Sequence, residues 1–501
     1  MDLFTRIHEL VRAGFSGIWL ETVECDDAIR EIQRGASTQT PAWGFDVWDI
    51  DKQLYSRVTQ APGPLQAIRA LDLPKAHETQ LLVLKNFHRF LGNPEVLQSL
   101  ANHVAEGKSN GQFIIIVAPT VALQPEIEKL FTVVHHDLPN ETQLRTMCVE
   151  LCESNSDFTP PTEEQLTNAV DAGRGLTRQE AENAFALSLA RSGTLVPDTI
   201  WDIKAQTLEK SGNMALYRGD ASFENLGGLD NLKQFCLRAM RKQGEKHIDK
   251  RPKGVLLLSP PGCGKSQFAK ALGNEVGRPT VMLDFGSLLG KFVGESEGNM
   301  RRALKQVDAM APCVLFVDEI EKALAGVGNS GQTDSGVSAR LFGTLLTWLN
   351  DHESDVFFIG TCNDATQLPA PFTRAERFDG IFFVDLPGDE QRRHIWDIYM
   401  RHFGLSADQP KPDDTNWTGA EIKSCCRLAA LLETSLLEAA LNVVPVSVTS
   451  AEQIENLRQW AEGRCLSADS AGIYTRVGRG AVPVNVGARR GNRKVAAGAP
   501  N

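Results

Sequence analysis

Short apolar runs alternate with segments of helical periodicity along both halves of the chain. In the second half these runs cover residues 254–258 (GVLLL), 313–317 (CVLFV) and 356–362 (VFFIGTC). Continuous apolar runs of this length are typical of buried strands, and strands that alternate with helices form parallel sheets flanked by helices. The pattern therefore predicts an α/β fold whose second half contains a parallel sheet with helices on its faces.

The first of these runs leads directly into a phosphate-binding motif. Residues 259–266 read SPPGCGKS and precede a helical pattern, which is the strand–loop–helix context of a P-loop, or Walker A motif. Its glycines let backbone N–H groups surround phosphates, and the helix N-terminus adds partial positive charge. Lys265 is expected to reach the β- and γ-phosphates of ATP, and Ser266 to bind Mg²⁺. The predicted nucleotide contacts of the loop are Pro261, Gly262, Cys263, Gly264, Lys265, Ser266 and Gln267.

Two further strands end in polar residues that suit ATP hydrolysis. The run 313–317 is followed by Asp318 and Glu319, and the run 356–362 by Asn363. A carboxylate at a strand end suits Mg²⁺ coordination, so Asp318 is the predicted metal residue. Glu319 suits a general base that polarises the attacking water, and the amide of Asn363 suits the orientation of that water. Taken alone, Asn363 would more often be a turn former, but its place after a third strand favours the catalytic role.

Arg374 and Arg377 are three residues apart and can project together from a helix end or a tight loop. An arginine directed at the γ-phosphate of a neighbouring subunit neutralises charge in the transition state, an effect of roughly 10³–10⁵ in rate. An isolated pair of this spacing is more often a solvated surface pair. The motifs that precede this pair favour the catalytic interpretation.

Taken in order, these motifs resemble the AAA-type P-loop ATPase family. The resemblance includes residues 223–229 (FENLGGL), the P-loop, 291–297 (KFVGESE), 316–319 (FVDE) and 418–422 (TGAEI). It implies a hexameric ring, with ATP bound between subunits and the two arginines acting in trans. It also implies an adenine pocket at Asn225, Leu226 and Gly227, and a nucleotide contact of a helical lid at Gly419 and Ala420.

The same resemblance implies a protein client. It makes Phe292, flanked by Lys291 and Val293, the aromatic residue of a central-pore loop that grips polypeptide. The chain departs from the family at the arginines, because Ala375 and Glu376 stand where the family has Pro-Gly. An acid therefore lies beside both arginines in the sequence.

The first half of the chain repeats the strand pattern without its chemistry. Residues 17–22, 81–84 and 112–119 are predicted strands, but residues 21–27 (ETVECDD), at the P-loop position, contain no glycine or lysine. Their acids oppose phosphate, and residues 85–86 (KN) replace the acidic pair of the second half. We infer a degenerate AAA-like module that binds no nucleotide. The alternative is an unrelated α/β domain with chance similarity.

The whole arrangement resembles the AAA ATPase family encoded in algal plastids and cyanobacteria, through residues 81–91 (LLVLKNFHRFL) and 444–449 (VPVSVT). From residue 475 onward the chain is rich in Gly, Ala and Val and contains no acid, which is typical of disorder. The predicted organisation is a degenerate AAA-like domain (1–200), a linker (201–220), the AAA large subdomain (221–387), a helical lid (388–465) and a basic, disordered tail (466–501).

Composition restricts the function further. The net charge of −11 does not fit a protein that coats nucleic acid, so a nucleic-acid contact is expected through the basic tail or not at all. No apolar run approaches the roughly 18 residues of a membrane helix. The ten cysteines lack paired metal-type spacing, which indicates reduced thiols and a cytoplasmic location.

The predicted function is Mg²⁺-dependent ATP hydrolysis by a homo-oligomer, a hexameric ring that remodels a protein client through its pore loop. The alternative is a nucleotide-switched scaffold, in which slow hydrolysis only times binding by the first module. The complete set of Lys265, Asp318, Glu319, Asn363 and two arginines favours the enzyme.

Overall fold

The architecture is that of a computed structural model, which describes residues 2–54, 61–73, 77–154, 158–210, 212–241, 251–288, 295–321, 335–365 and 377–476. The chain forms two compact units, Met1–Thr207 and Leu208–Asn501. The predicted client-binding residues Lys291, Phe292 and Val293 and the predicted arginine Arg374 lie outside the described residues. Within the described residues, no helix combines the length and apolar character of a membrane span.

The first unit begins as an alternating α/β chain and ends in helices. Its elements are α1 Leu3–Ala13, β1 Gly17–Glu21, α2 Cys25–Ser37, β2 Gly44–Asp49, β3 Gln53–Leu54, α3 Pro64–Arg69, β4 Gln80–Lys85, α4 Pro94–Asn110, β5 Gln112–Ala118, β6 Phe131–His135, α5 Glu141–Glu153, α6 Glu163–Gly173, α7 Arg178–Ser192 and α8 Pro197–Lys210. The division between the two units falls within α8.

The strands of the first unit form one sheet with the order β3-β2-β4-β5-β1-β6. Neighbouring strands are parallel, except that β3 is antiparallel to β2. Successive side chains of a strand point to opposite faces, so Leu82 packs in the cluster around Trp48, and Leu81 in the cluster around Ile32. Because both faces are covered, the central strands are continuous apolar runs rather than alternating ones.

Helices α5 to α8 bury an apolar cluster of their own, which contains Leu144 and Phe185. Helices α6 and α7 both begin with a capping box, in which the side chain of Thr162 or Thr177 accepts a backbone N–H of the first turn. The first unit therefore consists of a sheet covered on both faces and a separate helical part, α5 to α8.

The second unit repeats this division. Its elements are β7 Met214–Tyr217, α9 Asp230–Met240, β8 Gly254–Leu258, α10 Lys265–Glu275, β9 Thr280–Leu283, α11 Phe285–Leu288, α12 Glu295–Ala309, β10 Cys313–Val317, α13 Ser335–Asp351, β11 Val356–Cys362, β12 Gly380–Phe383, α14 Asp389–His402, α15 Gly419–Leu432, α16 Leu436–Ala440, α17 Val446–Thr449, α18 Ala451–Ala461 and β13 Leu466–Ser467.

The second sheet has the order β13-β12-β8-β11-β10-β9-β7, with β7 antiparallel to β9 and the other neighbours parallel. Read from the opposite end, the five parallel strands of the first sheet have the same order. Strands β6, β1, β5, β4 and β2 correspond to β12, β8, β11, β10 and β9. The predicted α/β fold is therefore confirmed, including an AAA-like first unit. The alternative of an unrelated first domain is wrong.

Two predicted boundaries differ from the structure. The predicted linker, 201–220, contains the end of α8 and strand β7, whose Met214 and Leu216 are buried. The predicted tail begins too early, because β13 pairs with β12 and Ala468 is fully buried in the core of the second unit. Strands of two to four residues contain too few apolar positions for a period to be recognised in the sequence.

Asp385 follows β12 and connects the sheet of the second unit with the end of the described chain. Its carboxylate accepts hydrogen bonds from Arg458 Nε of α18 at 2.8 Å and from the Tyr474 hydroxyl at 2.6 Å. These bonds hold α18 and the C-terminal segment against the edge of the sheet. Helices α14 to α16 bury a separate cluster that contains Trp396 and Trp417.

Candidate active site

Three neighbouring strands bring the predicted chemistry to one edge of the second sheet. Strands β8, β11 and β10 are adjacent and parallel, so their carboxyl ends lie at the same edge. The P-loop follows β8, Asn363 follows β11 and Asp318 follows β10. Parallel sheets bind their ligands outside the carboxyl ends of the strands, so this edge is the candidate site.

The P-loop turns sharply before α10 and lies close to the lid helices. Gly262 and Gly264 each have a φ of 85°, which is a left-handed conformation that a side chain would strain. A Cβ atom at Gly262 would also lie 2.8 Å from the hydroxyl oxygen of Thr418, the residue that caps α15. The backbone N–H of Ala420 donates to the Gly262 carbonyl at 3.1 Å. The loop and the lid therefore approach each other at a distance that only glycine permits.

Lys265 is the buried cation of the site. Its Nζ donates to Asn363 Oδ1 at 2.7 Å and to the backbone carbonyls of Ser259 and Pro260 at 3.1 and 3.0 Å. Burial lowers the pKa of this ammonium group, and the negative charge of Asp318 opposes the shift. A cation beside a helix N-terminus attracts phosphate oxygens through charge-assisted hydrogen bonds.

Asn363 connects this lysine with the predicted general base. Its Nδ2 donates to Glu319 Oε1 at 3.1 Å, while its Oδ1 accepts the bond from Lys265. A side-chain amide has a donor end and an acceptor end, so Asn363 fixes the spacing between the lysine and the glutamate. The structure thus brings together three residues that the sequence assigned to one reaction.

Ser266 and Asp318, the predicted metal residues, are hydrogen-bonded to each other. Ser266 Oγ donates to Asp318 Oδ2 at 3.2 Å. Hydroxyl and carboxylate oxygens are the hard ligands that Mg²⁺ prefers, and Mg²⁺ is usually bound by few protein ligands together with water and phosphate oxygens. These two residues therefore fit a magnesium ion at the end of the P-loop.

Thr361 supports both acids, and the sequence interpretation missed it. Its side chain is fully buried; the hydroxyl donates to the Asp318 carboxylate and accepts the Glu319 backbone N–H at 2.8 Å. Glu319 has a φ of 49°, a left-handed conformation that is uncommon for a residue with a side chain. The hydroxyl of Thr361 therefore helps to hold the base in a turn that directs it to the carboxyl edge.

Glu321 is a further acid that the sequence interpretation did not single out. It is almost completely buried beneath the site, and its Oε1 accepts the backbone N–H of Asn363 at 3.0 Å. This bond fixes the start of the segment after β11, and with it the Asn363 amide. A signal was present, since Glu321 stands two residues after Glu319, directly beyond the end of a buried strand.

A cavity of about 270 Å³ extends from this edge toward the lid helices. Pro261 is exposed and does not line it. The wall of the cavity also includes Gln391 and Asp469, which the sequence interpretation missed. Burial raises the pKa of the Cys263 thiol to about 11, so this thiol in the loop is protonated at neutral pH. All other predicted nucleotide residues line the cavity: Asn225, Leu226, Gly227, Gly262, Cys263, Gly264, Lys265, Ser266, Gln267, Gly419 and Ala420.

Arg377 lies at the opposite edge of the sheet. It precedes β12, whose first residue, Gly380, pairs with Val255 near the start of β8. The P-loop follows the other end of β8, and a strand of this length measures about 16 Å. Arg377 is therefore separated by about one strand length from the edge that holds Lys265 of the same chain.

The corresponding edge of the first unit contains an internal ion pair in the place of the metal residues. Asn86 follows β4 with a φ of 55°, as Glu319 follows β10 with a φ of 49°, so Lys85 stands in the place of Asp318. Lys85 Nζ pairs with Asp26 Oδ1 at 2.5 Å. Asp26 is the second residue of α2, as Ser266, a predicted metal residue, is the second residue of α10. A lysine ammonium thus lies where the second unit has its predicted metal residues.

The lid of the first unit is held to the same edge by acidic side chains. Helix α7 begins with Arg178, whose Nε pairs with Asp27 Oδ2 at 3.0 Å and whose Nη1 donates to His136 Nε2 at 3.0 Å. The backbone N–H of the next residue donates to Glu24 Oε1 at 3.1 Å. In the second unit the equivalent backbone N–H, of Ala420, bonds to the P-loop itself. Residues 21–27, which stand at the P-loop position of the first unit, therefore bind the lid of that unit through carboxylates that oppose phosphate.

The supporting role of Thr361 can be tested by substitution. Thr361→Val keeps the shape but removes the hydroxyl, which leaves the Glu319 N–H and one Asp318 oxygen without that partner. We expect ATP turnover to fall by about 10- to 100-fold, while ATP affinity changes by less than about threefold because the P-loop is untouched. Thr361→Ser, which retains the hydroxyl, should stay near wild-type turnover. Unchanged kcat in the valine variant would contradict this role.

Known families match the two units separately. Residues 255–386 match the ATPase family associated with various cellular activities (AAA). Residues 3–136 match the N-terminal domain of SpoVK-like AAA ATPases, and residues 142–211 match the second domain of the same group. The second unit therefore carries an AAA ATPase domain, the family that the sequence motifs predicted.

Two relatives resemble the chain over most of its length, and a third over less than half of it. The uncharacterized AAA domain-containing protein ycf46 of Guillardia theta is 30% identical over 419 residues, 79% of this chain and 82% of that protein. The protein of the same name from Trieres chinensis is 31% identical over 405 residues, 79% of this chain and 80% of its own length. The cell division cycle protein 48 homolog of Archaeoglobus fulgidus is 32% identical over 231 residues, 42% of this chain and 30% of that protein. The chain belongs to the family of ycf46 AAA domain-containing proteins.

Proposed function

We propose that this protein hydrolyses ATP in a Mg²⁺-dependent reaction at the carboxyl edge of its second sheet. The row of hydrogen bonds from Lys265 through Asn363 to Glu319 carries the proposal. It holds a phosphate-binding cation and a carboxylate base at the two ends of one amide. Phosphoryl transfer depends mainly on such positioning and on charge stabilisation, because it requires little covalent chemistry from the protein.

Each group in the row has a distinct task in this proposal. Lys265 binds the β- and γ-phosphates, and Ser266 and Asp318 hold Mg²⁺, which adds positive charge at the phosphates. Glu319 polarises the attacking water and takes its proton. The Asn363 amide orients that water, because its donor end already lies against the Glu319 carboxylate.

Glu319→Gln is the sharpest test of this assignment. The amide preserves the shape of the side chain but cannot take a proton from water, whereas Lys265, Ser266 and Asp318 remain intact. We expect Mg-ATP to bind with nearly unchanged affinity and kcat to fall by at least about 100-fold. Glu390→Gln, at an exposed position of α14, is the matched control and should leave both quantities unchanged. Near-normal turnover of Glu319→Gln would exclude Glu319 as the base.

We further propose that hydrolysis takes place between subunits of a homo-oligomer, a hexameric ring. Two observations support the proposal. Arg377 lies about a strand length from the Lys265 site of its own chain, so a role at an ATP phosphate would have to be at the site of a neighbouring chain. The lid also exposes large apolar side chains that would be buried by association. These are Leu431, Leu432, Leu437, Leu441, Val444 and Val448.

Subunit mixing tests this arrangement. Lys265→Ala and Arg374→Ala should each be inactive alone. In a randomly mixed ring, about a quarter of the interfaces join an intact P-loop to an intact arginine, so mixing should restore up to about a quarter of the wild-type activity. Mixing Lys265→Ala with Arg393→Ala, an exposed arginine of α14, should give only the activity of the diluted Arg393→Ala protein. No rescue, with activity per subunit constant down to monomeric dilution, would show that the arginines do not act in trans.

The proposed work of the ring is to remodel a protein client through Phe292 and its neighbours Lys291 and Val293. The competing function is a nucleotide-switched scaffold with slow hydrolysis. The hydrogen-bonded row of Lys265, Asn363 and Glu319 in the second unit favours the enzyme, because a binding switch does not need an activated water.

Client-stimulated turnover separates the two functions. With unfolded casein as the probe, the wild-type ring should hydrolyse ATP several-fold faster than without it. Phe292→Ala should lose the stimulation but keep the basal rate, and Phe292→Tyr, which keeps an aromatic ring, should retain it. A basal rate that casein does not change, in wild type and both variants alike, would favour the scaffold.

We also propose that the protein is located in the cytoplasm. All ten cysteines are free, and all but Cys263 are buried. Burial raises the pKa of the Cys148 thiol to about 12, so it packs as a small apolar group. Such thiols fit a reducing compartment. A nucleic-acid contact through the basic segment 477–501 lies outside the described residues.

A further inference from the structure

The C-terminal segment after the lid forms part of the nucleotide cavity. Strand β13 extends the sheet beside β12, and the Ala468 N–H donates to the Phe383 carbonyl at 3.1 Å. On its other side the segment binds the start of α9. The Leu232 N–H donates to the Ala468 carbonyl at 2.9 Å, and Asn231 Nδ2 donates to the Ser467 carbonyl at 2.6 Å. The residue that follows Ala468 is therefore held in a fixed position.

That residue is Asp469, which lines the cavity. Its Oδ1 accepts the Leu229 backbone N–H at 2.8 Å, and Gln391 donates a second hydrogen bond to the carboxylate. A carboxylate can accept about four hydrogen bonds, so two acceptor positions remain. The alternative is a purely structural role, in which Asp469 only caps the start of α9. That explanation does not account for the contact with Gln391 or for the place of the carboxylate in the cavity wall.

Asp469 lines the cavity beside Leu229, whereas Leu226 of the same segment lies against the P-loop. The cavity wall formed by residues 225–229 starts at the P-loop, where a Cβ atom at Gly264 would lie 3.2 Å from Leu226 Cδ1. Three residues later, Leu229 bonds to Asp469, and Gly228, between Leu226 and Leu229, lies against Gln391 of the same wall. The P-loop and Asp469 therefore line one continuous cavity, in which a nucleotide with its phosphates at the P-loop can extend along residues 225–229.

Asp385 is the other carboxylate among the described residues that line the cavity, but its oxygens are already used. It accepts hydrogen bonds from Arg458 Nε, from the Tyr474 hydroxyl and from the Leu386 backbone N–H. Of the two carboxylates, Asp469 therefore has the remaining acceptor capacity in the cavity wall.

We propose that Asp469 selects adenine over guanine by accepting a hydrogen bond from the amino group at C6 of the base. Guanine has a carbonyl oxygen at C6, so the same position would bring two acceptors together. A site built for a donor rejects an analogue without one, because its own polar group then remains unpaired. The inference rests on the proposed ATP binding at this cavity and adds the source of its base specificity.

The test compares Mg-ATP and Mg-GTP binding to the full-length chain by calorimetry. The unmodified chain should prefer ATP by roughly 100-fold. In Asp469→Asn, an amide oxygen can still accept the Leu229 N–H while the amide nitrogen presents a donor to the base. The ATP-to-GTP preference should therefore fall by at least about tenfold, with little change in Tm. Asp230→Asn, the same substitution at an exposed position of α9, should leave the preference unchanged.

Inosine triphosphate provides a second measurement that needs no variant. Its base has the C6 carbonyl of guanine but lacks the amino group at C2. If Asp469 reads C6, this nucleotide should bind the unmodified chain as weakly as GTP. Binding as tight as that of ATP, or an unchanged ATP-to-GTP ratio in a folded Asp469→Asn, would overturn the inference. Failure of the unmodified chain to bind ATP at all would instead overturn the proposed function.

Discussion

The site of the second unit depends on hydrogen bonds that join the carboxyl ends of three neighbouring strands. The end of β11 supplies Thr361 and Asn363, which lie between the P-loop after β8 and the acids after β10. Thr361 bonds to Asp318 and Glu319, and Asn363 bonds to Lys265 and Glu319. The register of the parallel sheet sets the spacing of all these groups. A shift of any one of the three strands would separate Lys265, the predicted metal residues and the proposed base.

The first unit shows that this architecture does not require the chemistry. Its strands follow the same order, and the residue after β4 keeps the left-handed conformation found at Glu319. The charges are nevertheless different: Lys85 pairs with Asp26, and Arg178 of the lid pairs with Asp27. Side chains of the unit therefore supply the countercharges that nucleotide and metal would supply in the second unit. The fold is retained by apolar burial on both faces of the sheet, which does not depend on the loop residues.

The sequence was sufficient to place the residues that follow an apolar strand. Lys265, Asp318 and Glu319 each follow an apolar run that fixes the end of a strand, so both their identity and their position could be predicted. Thr361 could not be predicted in this way, because its role comes from the strand beside it and not from its neighbours in sequence. Asp469 was missed for a similar reason, since a two-residue strand more than 200 positions after the P-loop brings it into the cavity.

The edge strands could not be predicted from the sequence either. Strand β7 and strand β13 are short, and their apolar residues are too few to give a period. Their pairing is decided by the edges of a sheet whose central strands are already in place. The linker and the tail predicted at these positions therefore turned out to contain strands of the second sheet.

The central claim is that one of the two similar units binds nucleotide and the other is occupied by its own ion pairs. Equilibrium dialysis of the full-length Glu319→Gln chain with saturating labelled Mg-ATP measures this directly as nucleotide bound per chain. We expect a limiting value of one, and of zero when Lys265→Ala is added. A limiting value of two, or one nucleotide that remains after Lys265→Ala, would show that the first unit binds ATP and would contradict the account.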